Sequence, residues 1–466
     1  MLDLAITGAT VVTPGGPQLL DVGVQGEVTA VLAQPGGLPE AARTVDASGL
    51  FLLPGGIDPH IHTIRPKGLE GQGREAISRA ALYGGMTTII DFVRPDPRPV
   101  DNMHATIEEW AGTCYSNYAF HVHLNDSLPD AAIAQIPQLI EMGFPSFKVF
   151  TTNIKPGREG HMTTGGTLHD IMKLTSEHGG IVNVHGEDDE LVMHEYRKHI
   201  EAGKTDLVYM QDVHSVMSED LSFNRVLRMS TYVPGTPIYF HHVTAKVGVD
   251  AIRNYRADGF PVYGETLLPL ALMTAKAYAE PDGERYHLYP SLKWEEDVEG
   301  LWHGIEDGTI HTFGTDGACP TWEDKMGFRT ITDAYGGVTG VEPKMPILYT
   351  EMVLNRRIGL KRLAELTSEN CAKIFGLYPK KGAVAVGSDA DFVILDPNDT
   401  RVIDPANMHE GNFSPWTGRT VSGWASHVVL NGRLAVERDT MVDHVMAGKL
   451  VPRTLDPAVA KGTVLG

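Results

Sequence analysis

The chain has 466 residues, 42% of them hydrophobic, and a formal net charge of −20 at pH 7. This length predicts one barrel-sized domain together with a smaller one. Such an acidic balance argues against nucleic acid or an anionic membrane as a partner, although a pocket inside an acidic protein can itself be basic.

The cysteines and the N-terminal segment indicate the compartment. Cys114, Cys319 and Cys371 form no CxxC pair, which is typical of a reducing environment without a disulfide framework or a thiolate zinc site. The segment "MLDLAITGATVV" lacks the features of a secretion signal, and no apolar run reaches the roughly 18 residues of a membrane span. We therefore expect a cytoplasmic protein.

The first fifty residues have the pattern of short strands joined by turns, as in "LAITGATVV" and "LLDVGVQGEVTAV". Strand patterns return after about residue 380, in "KGAVAVGSDADFVILD" and "GWASHVVLNGRLAVE". We expect the two ends to pair. Residues 1–54 and 381–466 would then form a small β-sandwich domain built from both chain ends, with a C-terminal tail.

Residues 55–380 show a different pattern, in which apolar strands alternate with helical periodicity. A strand candidate near residue 52 is followed by seven more, at "TTIIDFV", "YAFHVHL", "SFKVF", "IVNVH", "IYFHHV", "PVYGET" and "HTFGTD". Near-continuous apolar strands between helices are typical of a parallel sheet buried on both faces. Eight of them predict an α/β fold whose main domain is a (β/α)8 TIM-like barrel.

The stretch "LLPGGIDPHIH", residues 52–62, places two histidines one residue apart after a buried strand. Side chains alternate along a strand, so His60 and His62 share one face about 7 Å apart. That spacing suits two imidazoles that bind one metal ion.

Further candidates stand at the C-terminal ends of later strands, where the catalytic groups of such barrels lie. These candidates are Lys148, His185, His242 and Asp316. A single histidine is more often structural, but converging imidazoles and a carboxylate indicate a divalent-metal site. Alternation lets only one of His241 and His242 face inward, and the pattern alone does not choose between them. We interpret His121 and His123 as structural.

Lys148 needs its own explanation, because an ammonium group beside dications is repelled. Reaction of its amine with carbon dioxide would give a carbamate, an anion able to bridge two metals. The alternative is an ordinary lysine whose tip reaches solvent. The bulky apolar neighbours in "SFKVF" argue against that alternative.

These segments together resemble the dihydropyrimidinases and hydantoinases, cyclic amidohydrolases of the amidohydrolase superfamily. The resemblance covers nearly the whole chain and rests on "PGGIDPHIH", "GGMTTIIDFV", "SFKVF", "IVNVHGEDDELV", "PVYGET", "TFGTDGACP" and "FSPWTGRTVSGW". It implies two divalent metal ions held by His60 and His62 on the first metal, a carboxylated Lys148 as the bridge, His185 and His242 on the second, and Asp316. The resemblance thus favours His242 over His241.

The resemblance also implies the reaction, which is hydrolysis of the ring amide of a cyclic ureide or imide such as a dihydropyrimidine or hydantoin. A hydroxide between the metals would attack the ring carbonyl, and Asp316 would pass its proton to the leaving nitrogen. We expect zinc, although manganese, cobalt or iron would also suit these ligands. The implied assembly is a homotetramer or dimer, with a small cyclic amide as substrate and neither nucleic acid nor membrane as partner.

Three positions depart from the family's pattern: Asn153 replaces a tyrosine, Tyr289 a serine and Gly317 a histidine. The expected metal ligands are unaffected, so the changes concern the substrate, and Asn153 and Tyr289 are substrate-binding candidates. Arg65 and Arg94, which follow the first two strands, are further candidates because paired guanidiniums bind a carboxylate well. Pairing of these arginines with nearby acids is the alternative.

Two other functions stay open. One is an amidohydrolase acting on a different, possibly acidic, cyclic amide, as an allantoinase or dihydroorotase does. The other is a non-catalytic dihydropyrimidinase-like scaffold. Retention of all six ligand positions argues against a scaffold, because such proteins have lost several of them.

Overall fold

A computed structural model describes residues 1–63, 73–318, 320–327, 329–442 and 444–465. Its strands form two sheets, one of nine strands and one of eight. Within these ranges, no helix combines the length and the apolar character that crossing a membrane requires.

The strands of the described ranges are β1 (Leu2–Thr13), β2 (Gly16–Gln25), β3 (Val28–Ala33), β4 (Ala41–Asp46), β5 (Phe51–Pro54), β6 (Gly56–Ile61), β7 (Met86–Val93), β8 (Asn117–His123), β9 (Ser146–Phe150), β10 (Ile181–His185), β11 (Ile238–Phe240), β12 (Val262–Leu267), β13 (Thr312–Gly314), β14 (Phe392–Val402), β15 (Thr420–Leu430), β16 (Arg433–Glu437) and β17 (Thr440–Met441). The α-helices are α1 (Arg74–Tyr83), α2 (Pro99–Trp110), α3 (Asp130–Ile133), α4 (Ile136–Glu141), α5 (Gly165–His178), α6 (Asp189–Glu201), α7 (Met210–Val213), α8 (Val216–Ser230), α9 (Lys246–Ala257), α10 (Leu268–Leu272), α11 (Glu295–Asp307), α12 (Trp322–Met326), α13 (Lys344–Leu348), α14 (Leu360–Ala364), α15 (Asn370–Ile374) and α16 (Pro457–Ala460).

Strands β6 to β13 form the eight-stranded sheet in chain order, and all neighbours are parallel. The first and last strands approach each other where the His62 amide donates to the Gly317 carbonyl over 2.8 Å. The sheet is therefore a nearly closed barrel, with helices joining its strands. This confirms the predicted (β/α)8 TIM-like fold.

Residues 52–62 are divided between the two sheets rather than forming one strand. β5 pairs with β1 and β14, whereas β6 pairs with β7. The change falls at Gly55, where an added Cβ would lie 2.2 Å from Thr87 Oγ1. Only glycine fits so close a contact. The strand expected near residue 52 therefore belongs to the small sheet, and the first barrel strand begins at Gly56.

Both chain ends supply the nine-stranded sheet, in the order β17-β16-β15-β14-β5-β1-β2-β3 with β4 beside β1. Val11 and Val22 near the N-terminus share a fully buried apolar cluster with Phe392 and Ile394 of β14. The expected pairing of the two ends is thus confirmed. Its strands form one hydrogen-bonded sheet that contains both parallel and antiparallel pairs.

The C-terminal tail leaves this sheet and packs against the barrel. The Arg453 guanidinium is buried and donates to the Phe120 carbonyl and the Ser146 hydroxyl. Val459 joins the apolar cluster at the N-terminal ends of the barrel strands. The tail therefore covers the end of the barrel opposite the strands' C-terminal mouth.

Candidate functional site

A cavity of about 840 Å³ lies at the C-terminal mouth of the barrel. All six expected ligands line it: His60, His62, Lys148, His185, His242 and Asp316. They come from five different strands or the turns directly after them. A parallel barrel delivers such side chains to one place, because all its strands end at the same mouth.

His60, His62 and Asp316 form one cluster in this cavity. Asp316 Oδ1 lies 3.0 Å from His62 Nε2 and 3.4 Å from His60 Nε2. One ligand atom from each residue lies within 4.8 Å of the other two. Burial alone would raise the pKa of Asp316, but the two imidazoles outweigh it and lower that pKa. The cluster offers the nitrogen and oxygen ligands that a divalent cation binds.

Glu265 orients the ring of His60. Its buried carboxylate lies 2.8 Å from His60 Nδ1, and the pKa of Glu265 is lowered because His60 outweighs the effect of burial. A carboxylate only accepts, so Nδ1 carries the hydrogen and Nε2 keeps its lone pair for the cavity. His241 Nδ1 also contacts Glu265, at 3.3 Å, and its ring does not line the cavity. His241 therefore supports Glu265, and His242 is the neighbour that faces the mouth.

Lys148 is 1% exposed, and its amine has no hydrogen-bond partner among the described residues. The Nζ atom lies 4.7 Å from the centre of the Phe150 ring and 5.5 Å from that of Phe92. Burial lowers the pKa of this amine to about 7, so much of it is neutral and nucleophilic near neutral pH. The tip of Lys148 does not reach solvent.

A buried chain of hydrogen bonds stands behind His185. Glu187 lies 2.7 Å from His185 Nε2 and 2.8 Å from His214 Nδ1. Burial would raise the pKa of Glu187, but the two histidines outweigh it and lower that pKa. Both imidazoles therefore donate to an ionised carboxylate, and Tyr196 donates to His214 Nε2 over 3.0 Å. His185 consequently presents Nδ1, with its lone pair, to the cavity.

His242 completes the second pair of imidazoles. Its ring centre lies 4.4 Å from that of His185 and 5.5 Å from that of His60. Its φ of 38° is unusual outside glycine and is held by a hydrogen bond from its amide to Glu265 over 3.3 Å. Strained backbone of this kind is typical of functional sites.

The arrangement fits a pair of divalent cations. It offers four imidazoles and one carboxylate, ligands that suit zinc or manganese. The Lys148 amine is orphaned and would repel metals as a cation, whereas carboxylation would make it an anionic oxygen ligand. The donor set and the orphaned amine thus agree with the expected binuclear centre.

The expected substrate residues have different positions. Tyr289 and Arg94 line the cavity. The Tyr289 hydroxyl donates to the Ala334 carbonyl over 3.3 Å, and burial raises its pKa. Gly317 lies at the barrel closure, where its carbonyl accepts from His62. Arg65 lies outside the described residues.

Asn153 does not line the cavity, in contrast to the sequence-based expectation. Its Nδ2 lies 3.3 Å from the Asp189 carboxylate, and its Oδ1 accepts from the His161 and Met162 amides over 3.1 Å. These bonds occupy both ends of the side-chain amide. Asn153 therefore orders the loop of residues 151–164.

Sequence reasoning did not propose several residues that line the cavity, among them His123, Lys155, Arg158, His161 and Asp333. The structural interpretation holds for His121, which bonds Ser146 and the Pro59 carbonyl. The available signal was the segment "KPGREGH", because cations in a loop that follows a barrel strand lie at the mouth.

Comparisons with known proteins agree on one family. The amidohydrolase family model matches residues 51–435. D-hydantoinases of Geobacillus stearothermophilus and Streptomyces coelicolor are 31% and 30% identical to the chain, with 96% of it covered in each case and 96% and 97% of the relatives. The solved dihydropyrimidinase from Brevibacillus agri superposes with a TM-score of 0.92 at 29% identity, covering 98% of this chain and all of that one. The D-hydantoinase from Thermus sp. superposes with a TM-score of 0.90 at 28% identity, covering 97% of this chain and 99% of that one.

Proposed function

The chain belongs to the amidohydrolase family, and from this we propose that it hydrolyses the ring amide of a hydantoin- or dihydropyrimidine-like cyclic ureide with bound divalent metal. The observation that carries the proposal is the buried Lys148 amine, which has no hydrogen-bond partner among the described residues and shares one cavity with four histidines and Asp316. Relatives over nearly the full length are named hydantoinase or dihydropyrimidinase. They favour this function over an allantoinase- or dihydroorotase-like one and over a non-catalytic scaffold.

We assign the metal ligands as the sequence suggested: His60, His62 and Asp316 for one ion, His185 and His242 for the other, and Lys148, as N6-carboxylysine, for both. Bound there, two metals, which we propose to be zinc, would polarise the ring carbonyl and lower the pKa of a water molecule. The two histidines present different nitrogens to the metals. The hydrogen bond to Glu265 leaves Nε2 of His60 free, whereas the hydrogen bond to Glu187 leaves Nδ1 of His185 free.

Asp316 is the residue that moves protons in this proposal. The neighbouring imidazoles keep its carboxylate ionised, so it can accept a proton from the attacking water. As the ring C–N bond breaks, the same carboxyl group can donate that proton to the departing nitrogen. A φ of 51° at Asp316 turns the chain directly after β13, and its side chain lines the cavity.

Two aromatic rings cover the histidines. The Phe92 ring lies 4.9 Å from His60 and 4.7 Å from His62, and the Phe150 ring lies 4.8 Å from His185. These rings exclude water beside the ligands and provide flat apolar surfaces against which a planar ureide can pack. Tyr289 supplies a phenol in the same cavity for orienting the ring.

The test compares Lys148→Ala with Lys173→Ala, a matched control because Lys173 is an exposed lysine of α5. Ring opening of hydantoin and dihydrouracil is measured with zinc- and manganese-loaded enzyme, and metal content by elemental analysis. We expect Lys148→Ala to lose at least about 100-fold in activity together with bound metal, because the bridging anion is gone. The control should behave as wild type. Failure of the loaded wild type to open either ring, or full metal and activity in Lys148→Ala, would overturn the proposal.

We also propose that the protein acts as a cytoplasmic homo-oligomer, a tetramer or dimer, as the resemblance implies. In support, α8 exposes 56% of Met217 and 48% of Leu221, and apolar side chains exposed together are typical of a subunit contact. Light scattering should give a multiple of the chain mass, and Leu221→Lys should reduce it. A monomeric wild type would contradict this assembly.

A further inference from the structure

Two cations line the cavity outside the expected metal centre. Lys155 and Arg158 both belong to the loop of residues 151–164, and both are partly buried. In the parts of the chain that the structure describes, no carboxylate oxygen lies within 4.0 Å of the charged nitrogens of either side chain, although Asp333 also lines the cavity. Their contacts are neutral: Lys155 Nζ donates to the Ala334 carbonyl over 3.3 Å, and Arg158 Nη2 lies 3.1 Å from His161 Nε2.

The charge of this pair is only partly balanced within the protein, because the Asp333 carboxylate raises the pKa of Lys155 but lies beyond 4.0 Å from its amine. Burial lowers the pKa of Arg158 and of Lys155, and for Lys155 the nearby Arg158 lowers it further. The surface arginine Arg253, by contrast, has the Asp307 carboxylate at 2.7 Å. Two neighbouring cations drawn partly out of water gain most from an anion that arrives with the ligand.

The loop holds these cations in place. Asn153 ties it to Asp189 and to the His161 and Met162 amides, so the residues between are enclosed by hydrogen bonds. A φ of 69° at Ile154 turns the chain directly before Lys155. The departure at Asn153 from the family's tyrosine thus builds the loop that carries both charges.

The cations lie close to the expected reaction centre. The His161 ring, which contacts Arg158, lies 4.4 Å from the Phe150 ring, and the Phe150 ring lies 4.7 Å from Lys148 Nζ. Two rings in series, those of His161 and Phe150, therefore connect the guanidinium to Lys148, and all four residues line the same cavity.

We propose that the ring hydrolysed here is a hydantoin whose C5 side chain ends in a carboxylate, which Arg158 and Lys155 bind while the ring amide lies at the metal centre. This rests on the function proposed above and concerns a substituent of the ring, not a different reaction. A planar guanidinium binds a carboxylate through two parallel hydrogen bonds, and an ammonium adds a point charge. Arg94 lines the same cavity and adds to its positive potential. A hydantoin with a carboxyalkyl side chain at C5 has the required chemistry.

The experiment compares two probes of nearly equal size, hydantoin-5-propionic acid and its primary amide. For each, kcat/KM is measured with metal-loaded enzyme, and binding is measured by calorimetry. We expect the acid to be preferred by about 10- to 100-fold, the range of a hydrogen-bonded charge pair. High salt should reduce the preference, because partly exposed charges are screened.

Variants locate the effect. Arg158→Gln should bring the acid-to-amide ratio close to one, Lys155→Gln should lower it less, and Arg158→Lys should retain part of it. Arg98→Gln is the matched control, since this arginine is 78% exposed and lies 3.3 Å from Asp101. The control should retain the wild-type ratio, and thermal unfolding shows whether each variant is folded.

The outcomes separate this inference from the proposed function. Equal handling of acid and amide by the wild type, or a preference that survives in folded Arg158→Gln, would overturn the carboxylate site. If no hydantoin is opened, the proposed function fails. The calorimetric preference still decides the site, because binding of the acid over the amide does not require turnover.

Discussion

Glu187→Gln tests how strongly the support behind His185 controls metal binding. The Glu187 carboxylate accepts from His185 Nε2 at 2.7 Å and from His214 Nδ1 at 2.8 Å. Glutamine keeps one oxygen as an acceptor and has an NH2 donor in place of the other oxygen, so one of the two imidazoles faces an N–H group. When His185 is that imidazole, its hydrogen moves to Nδ1, and the nitrogen facing the cavity loses its lone pair.

The magnitude follows from the bond that is lost. A buried hydrogen bond to a charged group contributes about 1.5–3 kcal/mol. We therefore expect zinc affinity to fall by about 10- to 100-fold, the range found for groups that orient metal ligands. The assay is competition for zinc with a chromogenic chelator, which requires no turnover.

Glu190→Gln is the control, because Glu190 is exposed three residues further along. It should bind zinc like the wild type. Zinc affinity of Glu187→Gln within about threefold of wild type, under about 1 kcal/mol, would refute the inference that Glu187 sets the tautomer of His185.

Two further changes test stability. Lys344→Met removes the partner of Asp58, which lies 3.2 Å away in a fully buried pair. The free energy of unfolding, measured in urea, should therefore fall by about 3–5 kcal/mol, and adding Asp58→Asn should recover part of this loss. A loss below about 1 kcal/mol would contradict the prediction. Burial raises the pKa of Glu410 from its ordinary value of 4.5 to about 8. The folded state therefore binds the proton more tightly, and the stability that Glu410 contributes is complete below about pH 4.5 and is lost as the pH rises to about 8. Unfolding of Glu410→Gln should depend less on pH across this window than unfolding of the wild type, and equal slopes would show that Glu410 does not titrate there.

The barrel could be predicted because its signal is local. Each barrel strand is a short apolar run between helical segments, and eight such runs have few other arrangements. The division of residues 52–62 could not be predicted in this way. It depends on the contact of Gly55 with Thr87, which lies far along the chain and becomes a neighbour only in the folded sheet.

The site residues show the same difference between local signals, which could be predicted, and contacts between distant residues, which could not. Histidines and an aspartate at strand ends could be identified because a strand fixes where its last side chains point. That Asn153 lies outside the cavity lining could not be predicted, because its position depends on Asp189 at the start of α6. Lys155 and Arg158 were missed because a loop without periodicity gives no direction to its side chains.

The amino-acid sequence alone was sufficient for the barrel and for most of the residues around its mouth, since these follow from periodicity and from residue types at strand ends. The choice of His242 over His241 and the reaction class came from the resemblance to the hydantoinases. Three-dimensional packing set the nitrogen that His60 and His185 present, the burial of the Lys148 amine and the placement of Lys155 and Arg158 in the cavity. The reason is physical. Hydrogen-bond partners and desolvation are properties of groups brought together from distant parts of the chain, and neither can be assigned before the chain has folded.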